Sequence, residues 1–323
     1  MARLPPPRSS LLLSARTVRP LDYTLIKNRA NSLLVRDGWE NKKEEWEKKL
    51  SDLLGESWTI DIDPKALYPY AEADSWASTS LGDCINSYVE GVEYQMRYFI
   101  DSNGGDGPKA EINNICSAHV LTMDFDEENT VSYCGVKVTP EGKLVILFTQ
   151  GNLGTNTSYA AESSKLIKAL NEGPTGDRPM SYIARASIRN DYEKELPEVQ
   201  KKLNKIFGKD VAIVPNFEDN FNKLKADSNA QDGWEDIFGR THLSYLQGLV
   251  SDLEYQKFDQ DEMLQEGLVE AVEESAVHVR VVSELKRSYN ETVIEGGILY
   301  LQTIPKDFGV NAHSIANELI NLL

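Results

Sequence analysis

The sequence predicts an α+β protein made of two tandem homologous domains, each an antiparallel sheet of about four strands packed against helices on one face. Three observations lead to this prediction: an internal repeat over most of the chain, strand-length apolar runs bounded by turns, and amphipathic helical segments between them. At 323 residues, the chain is also long for one hydrophobic core and comfortable for two.

The internal repeat is clearest at two strand-and-loop segments, residues 141–156 and 295–311. Each segment reads as a turn, an apolar strand, a glycine-containing loop and the start of a helix. The strand runs from Leu144 to Phe148 in the first copy and from Ile298 to Leu301 in the second. A repeat of this length indicates a duplicated folding unit rather than a local motif.

The similarity continues towards the N-terminus at offsets between 153 and 159 residues. Residues 46–55 match 199–208, and glycine, Ser-Tyr and glycine recur at the same spacing in 82–91 and 239–248. Ser117-Ala-His-Val120 further matches Ser275-Ala-Val-His-Val279. Because the matches keep their order, we expect the second half to repeat the elements of the first.

These matches predict a basic flexible tail at residues 1–18, a first repeat at 19–172 and a second at 173–323. The junction at 171–177 is short and contains glycine and proline. Two homologous domains joined so closely are expected to pack as a pseudo-dimer around an approximate two-fold axis.

The first repeat sets the expected order of helices and strands. A helix with apolar positions at Trp46, Leu50 and Leu53 is expected to end at Gly55, and a short strand follows at 58–62. A second helix then runs to the Gly- and Pro-rich loop 104–108. Three antiparallel strands follow at residues 115–125, 130–138 and 144–148, and a final helix ends near residue 170. The second repeat should end in the same kind of helix, with Asn311 in its cap region and apolar positions at Leu319, Ile320 and Leu323.

The charge of the chain restricts its partners. The formal net charge is −17, and the four arginines of the first twenty residues leave −21 on the remainder, since −17 minus 4 is −21. Such a body repels phosphate backbones and anionic lipid headgroups, so we expect neither a nucleic acid nor a membrane partner. A protein partner with a basic surface fits better.

The cysteines and the N-terminal residues indicate the cellular compartment of the protein. The three cysteines, Cys84, Cys116 and Cys134, have no metal-binding spacing and leave one thiol unpaired in any disulfide scheme, which is typical of a reduced intracellular protein. No apolar run approaches the roughly 18 residues of a membrane helix. We therefore expect a soluble cytoplasmic protein without metal or cofactor. The alternative is mitochondrial import, because the first residues are Arg- and Ser-bearing and free of acids, although the triple proline at 5–7 opposes the amphipathic helix of such a signal.

Two carboxylates are candidate ligand-binding residues. Asp61 and Asp63 alternate in Thr59-Ile-Asp-Ile-Asp63, at the end of a predicted strand, and should therefore lie on one face, where paired carboxylates can bind a divalent cation or share a proton. The matching positions of the second repeat are Val214 and Asn216, so the fold itself requires no acid there. The competing interpretation is a solvated strand end.

Three ring side chains are further candidates. Tyr88 and Tyr245 belong to the two Ser-Tyr pairs, and they are either core tyrosines with satisfied hydroxyls or part of a cleft between the repeats. His119 is the candidate histidine for a binding site in the first repeat. The competing interpretation is a structural histidine.

No catalytic constellation is complete in this sequence, and catalytic residues stay unassigned. We therefore expect a non-catalytic interaction or scaffold protein rather than an enzyme. The alternative is a small-molecule-binding protein or an enzyme with its site in the cleft between the repeats, where clefts commonly lie.

Overall fold

The computed structural model describes residues 35–174, 176, 178–286 and 289–323. The predicted tail at 1–18 and residues 19–34 of the predicted first repeat lie outside the described residues. Within the described part, the chain is mixed α and β and contains two four-stranded sheets.

The elements of the first half follow one another in the order helix, strand, helices, three strands and helix. Their bounds are a π-helix at Arg36–Glu40, α1 at Lys43–Leu54, β1 at Thr59–Asp61, α2 at Pro64–Leu67, α3 at Trp76–Thr79, α4 at Leu81–Ser102, α5 at Asp106–Ile115, β2 at Val120–Phe125, β3 at Cys134–Val138, β4 at Leu144–Phe148 and α6 at Ser163–Glu172.

The second half follows a similar order. Its bounds are α7 at Tyr182–Ser187, a second π-helix at Ile188–Tyr192, α8 at Glu193–Phe207, β5 at Ala212–Val214, α9 at Phe217–Ala226, α10 at Phe238–Tyr255, α11 at Glu262–Ala271, β6 at Ala276–Val281, β7 at Asn290–Glu295 and β8 at Ile298–Thr303. It closes with 3₁₀ turns at Ala312–Ser314 and Leu319–Leu322, where the sequence predicted an α-helix.

The two sheets have the same strand order and the same strand directions. The first is ordered β1-β2-β4-β3 and the second β5-β6-β8-β7. In each sheet the first two pairings are parallel and the edge hairpin is antiparallel. The prediction of antiparallel sheets is therefore wrong, because each sheet is mixed.

The segment after β2 explains this difference. The Asp126 N–H donates to the Phe148 carbonyl at 2.8 Å, so the chain crosses the end of β4 as it leaves β2. The Asp126 carboxylate then accepts from the Val131 N–H at 2.9 Å and the Thr130 hydroxyl at 3.1 Å, which holds the loop open. A tight hairpin between β2 and β3 does not form, and β4 enters the sheet between them.

The first sheet is covered on both faces at β4. All five residues from Leu144 to Phe148 are buried, and successive side chains of a strand point to opposite faces. The prediction that helices cover one face is wrong at this strand. Strands buried on both faces read as continuous apolar runs, as this one does.

Helix α5 was not expected from the sequence. Glycine and proline in the loop 104–108 predicted only a break, and α4 does end at Ser102. A new helix nevertheless begins at Asp106, with Pro108 in its first turn, where a missing N–H breaks no intrahelical bond. Strand β2 consequently starts at Val120 and not at Ile115.

Glycine residues end two helices, one in each half of the chain. Gly55 and Gly208 end α1 and α8 in the left-handed conformation, at φ 79° and 65°, which confirms the predicted cap at Gly55. Buried apolar side chains form two clusters in the described part. The clusters meet at α7, where Tyr182 belongs to the first and Ala184 to the second.

Candidate functional site

An open groove of about 260 Å³ lies between α8 and α10 in the second half. Each helix contributes residues at i, i+3, i+4 and i+7, which is one continuous helical face. The lining residues are Glu195, Glu198, Val199 and Lys202 from α8, and Gln247, Val250, Ser251 and Glu254 from α10.

The floor of the groove is apolar and its rim is charged. Val199 and Val250 are buried, with 5% and 3% of their surface exposed, whereas Glu195, Glu198 and Glu254 are exposed. The floor therefore offers dispersion contacts to an occupant, and the carboxylates remain hydrated in its absence.

Carboxylates dominate the electrostatics of the rim. Lys202 is the lysine of the lining, and its Nζ lies 3.6 Å from Glu254 Oε1. Glu195 and Glu198 form no salt bridge with any described residue. Three glutamates and one lysine give the lining a net charge of −2, so the groove attracts cations.

The segment of the first half that matches the start of this face in sequence carries a tryptophan in place of Val199. Trp46 stands 153 residues before Val199 and is buried, and its indole N–H donates to Asn86 Oδ1 at 2.8 Å. The Lys49 Nζ lies 3.9 Å above the indole ring, and Lys49 also pairs with Glu45 at 2.7 Å. Trp46 thus contributes a larger side chain to the contact between α1 and α4 than Val199 contributes to the contact between α8 and α10.

The two candidate carboxylates lie at the surface, apart from the groove. Asp61 is the last residue of β1, is exposed, and lies 3.7 Å from the Lys143 Nζ. Asp63 lies beyond the strand and accepts from the Lys65 N–H at 2.9 Å as the N-cap of α2. The prediction that both carboxylates lie on one strand face is therefore wrong, because β1 ends before Asp63.

The candidate rings are not brought into a common cleft. Tyr88 and Tyr245 are fully buried, one in each of the two cores. His119 stacks on Trp58 with ring centroids 5.7 Å apart, and its Nε2 lies 3.3 Å from the Asn113 carbonyl. Tyr88 and His119 therefore contact the first core, and Tyr245 contacts the second.

Metal-ligating side chains and cysteine thiols are two further features of the described residues. That part of the chain contains no group of three or more His, Cys, Asp or Glu placed to hold a metal ion. Cys84, Cys116 and Cys134 are buried free thiols, and burial raises the pKa of Cys84 and Cys116 to about 12. Protonated thiols of this kind are poor nucleophiles. No helix of the described residues is long and apolar enough to cross a membrane.

Comparison with family models, curated proteins and solved structures finds no match for this chain. The groove is therefore interpreted from its own residues. Sequence reasoning missed it, although one signal was present: the matched segments 46–55 and 199–208 begin with Trp46 and Val199, a pair that differs greatly in volume. Because protein interiors are close-packed, a large side chain aligned with a small one at a buried position indicates that the two matched segments pack differently.

Proposed function

We propose that this chain is a non-catalytic interaction protein made of two duplicated α+β domains, and that its second half binds a basic segment of a protein partner in the α8–α10 groove. The observation that carries the proposal is the open groove with three glutamates, one lysine and a valine floor. Complementary charge guides such a partner to the surface and selects it against acidic ones.

A lysine or arginine side chain has the chemistry that the groove accepts. Its aliphatic stem packs on Val199 and Val250 while its cationic head meets Glu195 and Glu198. The volume of about 260 Å³ is below the roughly 300–1,000 Å³ that is typical of small-molecule sites. A side chain of a protein partner is therefore favoured over a complete small-molecule ligand.

Matched hydrogen bonds support the duplication. The Trp58 N–H donates to Ser51 Oγ at 2.9 Å, and the Val211 N–H donates to Asn204 Oδ1 at 3.0 Å. Donor and acceptor of the second bond both stand 153 residues after those of the first. Two unrelated folding units would not be expected to repeat a strand order together with side-chain bonds of this kind.

The duplication also supports a division of roles between the halves. In the first half, Trp46 fills the helix–helix contact and Glu45 is neutralised by Lys49. In the second half, Val199 leaves the contact open and the rim is acidic. The first copy thus supplies a closed structural face, and the second copy supplies the binding face.

Peptide binding to the full chain tests the proposal. Fluorescence anisotropy is measured with a fluorescein-labelled Lys-Ala repeat peptide and with a Glu-Ala peptide of equal length. The basic peptide should bind and the acidic one should not, and binding should weaken as salt screens the rim. Glu195→Lys with Glu198→Lys should weaken binding about tenfold or more, because repulsion replaces two attractions worth about 0.2–1 kcal/mol each.

A variant with the same change in net charge is the control. Asp52→Lys with Glu56→Lys alters two exposed residues of the first half and should leave peptide affinity nearly unchanged. Equal weakening of peptide binding in both double variants would show that net charge alone causes the effect, and it would refute specific binding in the groove. Circular dichroism of each variant establishes that the fold is retained.

A further inference from the structure

The positive charge of this chain is concentrated before the first described residue, Val35. Residues 1–34 contain one acid, Asp22, and six basic residues, namely Arg3, Arg8, Arg16, Arg19, Lys27 and Arg29. Their net charge is +5, so the remaining residues carry −22, since −17 minus 5 is −22. The most basic part is residues 1–19, which contain four arginines and no acid, and which we call the arginine segment.

The α8–α10 groove has the chemistry that binds an arginine side chain. Glu195 and Glu198 are exposed and form no salt bridge with any described residue. A guanidinium group donates two parallel hydrogen bonds to a carboxylate of this kind. The aliphatic stem of the same side chain can pack on Val199 and Val250, which form the floor. Charge and shape therefore match the groove to the arginines of its own chain.

The arginine segment is long enough to reach the groove from its point of attachment. Val35 packs against the first core, and an extended chain spans about 3.3 Å per residue. Arg19 can therefore lie up to about 50 Å from Val35, and Arg3 up to about 105 Å. A compact body of 323 residues has a radius of gyration of about 20 Å and is about 50 Å across. The surface of the second half is thus within range of the segment.

We propose that residues 1–19 of this chain occupy the α8–α10 groove of the same molecule and compete there with outside basic partners. This inference rests on the proposed function, because it names the occupant of the same groove. Attachment favours the segment of the same molecule over that of another copy, since a tethered ligand has an effective concentration on the order of 1 mM. An outside partner must displace the segment before it binds.

This competition lowers the apparent affinity for an outside peptide. If the segment binds with a Kd of about 0.1 mM, an effective concentration of about 1 mM fills the groove in about ten molecules for each open one. The apparent affinity of an outside peptide is then about tenfold weaker than its affinity for the open groove, because only the open fraction can bind it.

Fluorescence anisotropy with the labelled Lys-Ala repeat peptide tests this competition in the full chain. One variant, the glutamine variant, combines Arg3→Gln, Arg8→Gln, Arg16→Gln and Arg19→Gln. It should bind the peptide about tenfold more tightly than the original protein does, because its groove is open. The lysine variant, with Arg→Lys at the same four positions, keeps the charge and should bind the peptide about as tightly as the original protein.

A further control separates competition from net charge. The glutamine variant has a net charge of −21, since −17 minus 4 is −21, and this change alone attracts a basic peptide more strongly. A control of equal net charge replaces four exposed lysines of the described part with glutamine, namely Lys48→Gln, Lys65→Gln, Lys137→Gln and Lys225→Gln. Equal tightening of peptide binding in this control and in the glutamine variant would overturn the proposal.

Zero-length cross-linking of the lysine variant locates the segment. Carbodiimide joins an amine directly to a carboxylate, so a lysine within residues 1–19 should become linked to Glu195 or Glu198. Mass analysis of the digested monomer identifies this link. Links that form only between two molecules, or only to other carboxylates, would overturn the assignment.

Equal peptide affinity of the original protein and the glutamine variant would also overturn occupancy by residues 1–19, while leaving the groove as a binding site. Absence of peptide binding in both proteins would instead refute the groove itself, and the proposed function with it.

Discussion

The phenolic oxygen of Tyr245 accepts a hydrogen bond from the backbone N–H of Gly309 at 2.7 Å. The same relationship joins Tyr88 and Gly154 in the first half at 3.1 Å, where the Tyr88 hydroxyl also donates to the Asn152 carbonyl at 3.3 Å. Burial raises the pKa of both tyrosines, so the hydroxyls remain protonated. Tyr88 thereby links helix α4 to the loop after strand β4, and Tyr245 links helix α10 to the loop after strand β8. Both strands have a neighbour on each side in their sheets.

Tyr245→Phe should lower the free energy of unfolding by about 1–3 kcal/mol, because a buried N–H then has no acceptor. Tyr88→Phe should have an effect of similar size. Urea denaturation measures both changes. Tyr255→Phe is the control, since this tyrosine is 87% exposed and its replacement should have little effect. Equal stability of all three variants would show that the hydrogen bonds contribute nothing.

Two helix glycines are required by close backbone contacts. In α4, a Cβ at Gly91 would lie 2.6 Å from the Ser158 Cα, and in α10 a Cβ at Gly248 would collide with the Ala312 carbonyl oxygen. Both glycines stand three residues after a buried tyrosine, on the helix face that packs against the following loop. Their role is to let the backbone approach and not to provide flexibility.

Gly248→Ala should therefore destabilise the protein by about 1–3 kcal/mol, as overpacking typically does. Gly267→Ala is the opposite control: this glycine lies within α11 and an added Cβ meets nothing within 4 Å, so alanine should stabilise the helix by about 0.5–1 kcal/mol. Chemical denaturation measures the free energy of unfolding, which should decrease in Gly248→Ala and increase in Gly267→Ala. A stabilising effect of Gly248→Ala would contradict the close contact.

Comparing the matched segments of the two halves predicted local features well. Gly55 and Gly208 align at the same offset, and both end a helix in the left-handed conformation. Helix periodicity and apolar strand runs likewise placed α1, α4 and β4, because these signals depend on neighbouring residues alone. The duplication itself stays a proposal, supported by the shared strand order and the matched bonds.

Pairing between distant strands was not predictable in the same way. His119 aligned with His278 in the sequence, yet its topological counterpart is Ser275. The His119 carbonyl accepts from the Thr59 N–H, as the Ser275 carbonyl accepts from the Ala212 N–H, and both residues have φ near 50°. The residue that pairs with a distant strand is set by tertiary structure, and the sequence match of the two histidines carries no information on that pairing.

The ion pairs of Glu111 with Arg178, Arg185 and Arg189 were also beyond sequence reasoning. Glu111 precedes its three arginines by 67 to 78 residues, and nothing in the sequence pairs them. Such contacts depend on how α5 and α7 pack, which single-sequence patterns do not encode. The groove between α8 and α10 depends on tertiary packing in the same way.

Val199→Trp should close the groove with the side chain that occupies the corresponding place in the first half. Trp46 shows that a tryptophan fits between the two helices of such a contact. The variant should bind the basic peptide at least about tenfold more weakly, because the ring excludes the side chain that Val199 would contact. Fluorescence anisotropy measures the affinity, and urea denaturation measures the stability.

Val199→Leu is the control for this change, since it enlarges the side chain only slightly and should preserve most of the binding. Undiminished peptide binding by a folded Val199→Trp protein would place the basic partner elsewhere on the surface.

His242 is a fully buried neutral histidine in the second core. Its Nδ1–H donates to the Phe238 carbonyl at 2.8 Å, and its Nε2 accepts from Asn220 Nδ2 at 3.0 Å. Asn220 also donates to the Val279 carbonyl and accepts from the Val281 N–H. The imidazole therefore has an acceptor and a donor but no counterion for a positive charge.

This arrangement predicts that the protein loses stability in acid. Burial lowers the pKa of His242 from its usual 6.5 to about 4, so between these pH values the unfolded chain binds the proton and the folded chain does not. The free energy of unfolding is therefore unaffected by this group above pH 6.5 and decreases as pH falls, and the loss of stability reaches about 3 kcal/mol at pH 4. His242→Ile, which introduces the residue found at Ile85, should flatten the dependence of unfolding free energy on pH by this amount, whereas His313→Gln, at an exposed site, should not. Urea denaturation from pH 7 to pH 4 measures the slopes, and identical slopes for His242→Ile and the original protein would show that another group senses the acid.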